Sequence, residues 1–199
     1  MGATNRGNWK PETGNIKTPI SQDTLKSLRA GDNVLLSGVI YTARDAAHER
    51  LCEALRAGEE LPVDLRGQTV FYVGPSPTPP GKPSGAIGPT TSMRMDVYTP
   101  ALLDYGVNAM IGKGERSEAV RQAIREYSAV YFAAAGGVAA YMAACVVDCE
   151  EVAYHDLGTE SVKRLEVRDL PLTVVIDAEG NDYFALAMQR YVETGTSAG

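Results

Sequence analysis

A single α/β domain built on a mixed sheet is the fold class that the sequence predicts, and three observations predict it. Short runs rich in β-formers alternate with helical segments along most of the chain, the pattern of strands interleaved with covering helices. The 199 residues suffice for one domain with a sizeable core. No internal repeat divides them, and a composition of 44% hydrophobic and 22% charged residues is that of an ordinary globular protein.

The elements follow in order. Residues 1–16, opening MGATNRGNWKPETGN, are polar and lack the apolar stretch of a secretory signal. They are expected to form a flexible arm, in which Trp9 is a candidate for packing on a partner chain. The domain itself is expected over 17–193, with 194–199 as a tail. Lys17 to Ile20 reads as an edge strand and Asp23 to Leu28 as a short helix. NVLLSGVIY, Asn33 to Tyr41, reads as a strand with a bulge at Gly38. Thr42-Ala43-Arg44-Asp45 loosely matches a capping box, so a helix is expected from there to about Arg56, ended by Gly58. TVFYV, Thr69 to Val73, is a buried strand. The segment Gly74 to Pro89 holds six prolines and four glycines, which can neither pair inside a sheet nor sustain a helix. Strands and helices continue beyond it, so it is read as a long site loop rather than a linker.

A helix is expected over Thr91 to Asp104, disturbed by Pro100, then a strand over Val107 to Ile111 and an amphipathic helix over Ser117 to Tyr127. Ala129 to Val147 is uncharged for about the length of a membrane span, but it is mostly alanine and is interrupted by Gly136-Gly137. A buried strand, a glycine turn and a buried helix are expected there, and no membrane association. Strands over Val146 to Ala153, Arg164 to Val167 and Thr173 to Ile176, and a closing helix over Asp182 to Glu193, complete the reading.

Charge and cysteine content narrow the function classes. A net charge of −6 argues against a nucleic-acid partner. Cys52, Cys145 and Cys149 are odd in number and without a framework, the usage of reduced thiols in a cytoplasmic protein. Their spacing is not that of cluster ligands, and buried apolar thiols are expected instead, with no metal bound by this chain.

Three junctions share one construction: a strand, a glycine- or threonine-bearing turn, a cation, and the expected start of a helix. They are Tyr41-Thr42-Ala43-Arg44, the segment GPTTSMRMD from Gly88 to Asp96 with Arg94, and Ile111-Gly112-Lys113-Gly114. A cation at a helix N-terminus is unfavourable by about 0.3–1 kcal/mol. Three at equivalent junctions point to an expected anion, cradled by backbone N–H groups, threonine hydroxyls and Arg/Lys at strand carboxyl ends. Simpler partners exist for each: Asp45 or Glu49 for Arg44, Asp96 for Arg94, and solvent for Lys113. From the residues alone this is an anion site of unspecified type.

The series IYTARDAAH, VFYVGPSP, PSGAIGPTTSMRMD, IGKGERS, YFAAAGG and LEVRDLPLTVVIDAEGNDYF resembles the C-terminal domain, or separate β subunit, of class I fumarases, and also tartrate dehydratase β subunits. The resemblance covers roughly Lys17 to Phe184. It implies a swivelling β/β/α-type domain and a partner α subunit holding a [4Fe–4S] cluster by three cysteines, in an α2β2 assembly. It implies a reversible hydration of fumarate to L-malate, a C4-dicarboxylate chemistry, with tartrate or mesaconate as alternative substrates. By the same resemblance Arg44, Arg94 and Lys113 grip the substrate carboxylates, Thr90 lies against the substrate as a candidate for proton transfer, and Gly88 and Thr91 shape the pocket. Bulk at Ser92-Met93 is expected to tune selectivity. His48 is expected in the core or in solvent rather than on substrate, and His155 in a structural role. Outside the resemblance, a non-catalytic module binding small anions remains the other reading.

Overall fold

The computed structural model describes residues 13–134 and 139–195. Trp9 and most of the expected arm, the Gly136-Gly137 turn and residues 196–199 lie outside the described residues.

Seven strands form one mixed sheet: β1 (Thr13–Lys17), β2 (Asn33–Thr42), β3 (Thr69–Phe71), β4 (Ala109–Gly112), β5 (Val130–Ala134), β6 (Val146–Ala153) and β7 (Val162–Ile176). Their order is β1-β2-β3-β4-β5-β7-β6, and β7 also pairs with β2. The strands β2, β3, β4, β5 and β7 therefore close into a five-membered ring. Strands β1 to β5 pair in parallel, and β7 runs antiparallel to β2, β5 and β6. The helices are α1 (Gln22–Ser27), α2 (Asp45–Ala57), α3 (Thr99–Tyr105), α4 (Glu118–Glu126), α5 (Ala139–Ala144) and α6 (Tyr183–Gly195).

Strands β3, β4 and β5 are buried along almost their whole length, and period-two alternation splits their side chains between two apolar clusters. Phe71, Ile111 and Phe132 join Leu25 of α1 and Met142 of α5. Val70, Tyr72, Met110 and Tyr131 join Leu51 of α2, Leu103 of α3 and Val120 of α4. Helices α2, α3 and α4 thus cover one side of the parallel strands.

Several expected elements differ in extent. The edge strand lies at Thr13–Lys17, four residues earlier than expected. Thr42 is no helix cap. It is the last residue of β2, and its buried hydroxyl accepts the Lys163 N–H at 3.0 Å and donates to the Ser161 carbonyl at 3.4 Å. The N-cap of α2 is Arg44, without a side-chain cap; the Ala46 N–H is satisfied from across the fold by Glu160 Oε2 at 3.0 Å. The helix expected over Thr91 to Asp104 is a 3-10 turn, Ser92–Met95, followed by α3, because Pro100 opens a helix rather than interrupting one. The two strands expected between Arg164 and Ile176 are the single strand β7. Its Asp169, at φ 51°, sits in a bulge opposite Ser37, whose hydroxyl accepts the Asp169 N–H at 2.9 Å. The extra residue of the bulge lies on β7, where Arg168 and Asp169 face Ser37, and not on β2 at the expected Gly38. There φ is 113°, and the Thr18 side chain occupies the place a Cβ would need.

Candidate functional site

The parallel strands set the site. Thr42 pairs with Phe71, Phe71 with Ile111 and Ile111 with Phe132, so the carboxyl ends of β2, β3, β4 and β5 reach one edge together. In α/β folds with parallel strands, open or closed, this is the edge where ligands bind, because loops and helix N-termini converge there. All six residues singled out from the sequence lie on the segments leaving this edge.

Arg44 follows β2 directly. Its Nε lies 3.3 Å from Asp45 Oδ2 and 3.4 Å from Glu160 Oε1. A terminal nitrogen of Arg94 lies 2.8 Å from Asp45 Oδ1. Fifty residues apart in sequence, the two arginines thus meet on the two oxygens of one carboxylate. Asp45 is therefore the partner of both, and neither Glu49 for Arg44 nor Asp96 for Arg94 takes that place. The Arg94 side chain is still 53% exposed, so it presents donors to solvent as well.

The long loop returns to the same edge. The Thr90 N–H donates to the Tyr72 carbonyl at 2.7 Å, which continues the line of β3. Thr91 bridges Lys113 in parallel register, and the Ser92 N–H donates to the Lys113 carbonyl at 2.9 Å. Thr90, Thr91 and Arg94 are thereby laid against the segment carrying Lys113, which is exposed and has no ion pair among the described residues. Gly88 lies upstream on the same path, in ordinary contact distance of the first residue of α5: a Cβ there would sit 3.5 Å from the Ala139 Cβ. The helix-terminus reasoning applies to Arg44 alone. Arg94 belongs to a 3-10 turn, and the helix after Lys113 starts at Glu118 behind its cap Ser117.

Beneath these residues lies a buried polar layer that sequence reasoning missed. The Arg116 side chain is fully buried, 2.7 Å from Asp96 Oδ1 and 2.7 Å from the Thr99 hydroxyl. Its guanidinium carbon stands 4.9 Å from the ring centre of Tyr131 and 5.3 Å from that of Tyr72. The other Asp96 oxygen accepts the Ser117 N–H at 2.6 Å. Ser92 Oγ accepts the Lys113 N–H at 3.0 Å and lies 2.8 Å from the Tyr131 hydroxyl, which donates to the Gly114 carbonyl at 3.0 Å. Gly112 is obligatory here, since a Cβ would overlap Ser92 Oγ and stand 2.9 Å from the Tyr72 ring. The one linear signal for this layer was GKGERS, which places Arg116 just before a helix cap; nothing linear pairs it with Asp96.

Ser92 is therefore buried under the surface of the site rather than lining it, while Met93 is 57% exposed. His48 is a core residue. It is fully buried, its Nδ1 lies 3.0 Å from the Arg44 carbonyl, and its ring meets that of Tyr72 edge-on at 5.2 Å. Burial pushes its pKa down to about 4, so the neutral ring donates from Nδ1 and buttresses the Arg44 turn. His155 is exposed and lies 2.8 Å from Glu151 Oε1.

The cysteines do not converge. Cys52 packs in the helix-side cluster and Cys145 and Cys149 against the other, and burial raises the pKa of all three thiols. Among the described residues no three of His, Cys, Asp and Glu come together as a set for a metal ion. These residues do not fit an iron–sulfur cluster, which needs several thiolates on one centre. Among the described residues no helix is long and apolar enough to cross a membrane.

Compared with known proteins, residues 4–187 match the family model described as Fumarase C-terminus. The chain is 41% identical over 151 residues to the anaerobic class I fumarate hydratase of Escherichia coli, covering 75% of this chain and 28% of that protein. It is 41% identical over 153 residues to the mitochondrial fumarate hydratase 1 of Leishmania major, again covering 75% and 28%. A Methanocaldococcus jannaschii protein, whose name proposes it as an L(+)-tartrate dehydratase β subunit, is 37% identical over 171 residues, covering 83% of this chain and 88% of that protein. The chain thus spans less than a third of the fumarate hydratases it matches and most of the β subunit. With the family model matched over nearly its whole length, the chain belongs to the fumarase C-terminus family.

Proposed function

We propose that this chain is the β subunit of a two-subunit, [4Fe–4S]-dependent hydro-lyase that reversibly hydrates fumarate to L-malate, and that it supplies the cationic half of the dicarboxylate site. The observation that carries this is the meeting of Arg44, Arg94, Thr90, Thr91 and Lys113 at one strand edge, in a chain whose relatives are named fumarate hydratases. The unit assigned this role is the single domain over 17–193, carried back to Thr13 by β1, as a swivelling-type domain in a cytoplasmic α2β2 enzyme. We place the cluster on the partner α subunit, because the residues here do not fit it.

The chemistry asked of this chain is electrostatic. Removing the proton beside a carboxylate drives negative charge onto that carboxylate, which needs several fixed cations around it. Arg44 and Arg94 offer planar, bidentate donors for this, and Lys113 a point charge at a distance set by a separate segment. Thr90 lies between them on the chain path, with its backbone fixed by Tyr72. An unaided threonine is a poor base, so its hydroxyl moves a proton only with an acidic group contributed by the α subunit. Gly88 brings the loop close to α5 just before Thr90 without adding side-chain bulk.

A second reading is an L-tartrate dehydratase β subunit. It is favoured by the M. jannaschii relative, whose length this chain nearly matches. The test is co-expression with the cluster-bearing partner under anaerobic conditions, following fumarate formation from malate by absorbance. Turnover that needs both chains and falls by at least about a hundredfold in Arg94→Ala supports the reading, since losing a charged transition-state contact costs a few kcal/mol. Turnover on tartrate or mesaconate alone moves the substrate assignment. A stable complex with an intact cluster and no hydro-lyase activity on any of the three leaves only an anion-binding module.

A further inference from the structure

The polar layer under the site has a direction. The Gly114 carbonyl can only accept, so the single phenolic proton of Tyr131 is committed to it. The contact between Ser92 Oγ and the Tyr131 oxygen is then donated by Ser92. That leaves the lone pairs of Ser92 Oγ to accept the Lys113 N–H. The result is one continuous relay: Lys113 N–H to Ser92 hydroxyl, to Tyr131 hydroxyl, to Gly114 carbonyl. It starts at the peptide before Lys113 and ends at the peptide after the next residue, so it brackets Lys113 on both sides.

We infer that the Ser92 and Tyr131 hydroxyls are positioning groups for Lys113, fixing where its ammonium stands relative to Arg94. The inference rests on the dicarboxylate reading above and names the device that sets the spacing between its two carboxylate anchors. Both hydroxyl-bearing side chains are fully buried, so water does not compete for the relay. Such a chain of hydrogen bonds polarises each of its members in the same sense. Burial also pushes the Tyr131 phenol far up, so it keeps the proton the relay requires. Lys113, Gly114 and Glu115 are exposed, and Gly114 turns the chain at φ 85°; apart from the Thr91 bridge, these bonds are what tether the segment among the described residues. Ser92 stands two residues before Arg94 in the same 3-10 turn, so the relay couples the two cations directly. The Tyr131 ring is itself held by the Arg116 guanidinium, a contact that phenylalanine preserves.

The experiment uses the assembled two-subunit enzyme, with succinate as an unreactive dicarboxylate probe. Succinate affinity is measured by calorimetry for wild type, Tyr131→Phe, Lys113→Ala and the double variant, alongside fumarate kinetics. Tyr131→Phe is expected to weaken succinate roughly tenfold, the size of one hydrogen bond's worth of affinity. In the Lys113→Ala background the same change is expected to do almost nothing, because a residue acting only through Lys113 has no further effect once its ammonium is gone. Equal losses in both backgrounds, no loss in Tyr131→Phe, or a wild type that does not bind succinate would overturn the inference. Where Tyr131→Phe fails to fold, Ser92→Ala enters the same cycle. Failure of the functional reading is seen separately: wild-type enzyme then binds succinate, with the cycle intact, yet does not hydrate fumarate.

Discussion

Replacing Asp96 by alanine strikes the buried layer where its charge balance is most exposed to damage. Asp96 is the one carboxylate paired with Arg116 among the described residues, and that guanidinium is fully buried between two tyrosine rings. Leaving a buried charge without its partner costs about 3–5 kcal/mol. The Ser117 N–H loses its acceptor as well, adding about 1 kcal/mol at the start of α4. The cation–π contacts with Tyr72 and Tyr131 are there before and after the substitution and leave the difference unchanged. The net loss expected is about 4–6 kcal/mol, a large share of the roughly 5–15 kcal/mol that holds a domain together. Urea unfolding of the chain followed by far-ultraviolet circular dichroism measures it. Adding Arg116→Met removes the stranded charge and puts a flexible apolar side chain beside Met110 and the tyrosines, so the double variant should recover at least half of the loss. A loss below about 1 kcal/mol in the single variant, or a double variant less stable than the single, would refute the reasoning from buried charge.

Three other outcomes are expected. His48 is held neutral with a pKa near 4 against 6.5 in the unfolded chain, so between those values the unfolded state binds more protons and stability falls as pH falls. The loss is expected to be on the order of 3 kcal/mol by pH 4, absent above pH 7, and strongly reduced in His48→Gln, as read by urea midpoints across the series. Gly112→Ala forces a methyl group against Ser92 Oγ and the Tyr72 ring, and should cost about 1–3 kcal/mol in the same unfolding assay while raising the KM for dicarboxylate through displaced Lys113. Arg44→Lys keeps the charge but loses the Nε that stands between Asp45 and Glu160, and with it the planar guanidinium, so kcat/KM should fall by about tenfold or more with little change in stability.

Much of the strand and helix order was legible, because it rests on local pattern. The β2 run is dense in β-formers, and α2 ending at Gly58 and α4 behind Ser117 each carry a cap residue at the right offset. Where expectation failed, a tertiary partner had replaced the local one. Thr42 looked like a cap and is a strand residue, because Ser161 and Lys163 from β7 use its hydroxyl. Arg168-Asp169-Leu170-Pro171 falls between two expected strands and is the middle of β7, because Ser37 accommodates the bulge at Asp169. At the site, the cations were visible as residue types at recurring junctions. Their mutual arrangement was not, since Asp45 joins Arg44 to Arg94 across fifty residues and Ser92 joins Lys113 to the turn across twenty-one. Arg116 was overlooked for the same reason: its counter-charge, hydroxyl and ring partners come from three different elements.

The carboxylate of Asp45, gripped by both arginines, gives the proposed site a resident competitor. An incoming carboxylate that takes the Arg94 nitrogen now held by Asp45 exchanges one anion for another and gains little Coulomb energy by doing so. At that nitrogen a molecule with one acidic group meets a nearly balanced exchange. A molecule with a second acidic group keeps an unopposed gain at Lys113, which holds no resident anion among the described residues. On the proposed function, a preference for diacids over monoacids would follow from what each must displace as well as from its shape and length.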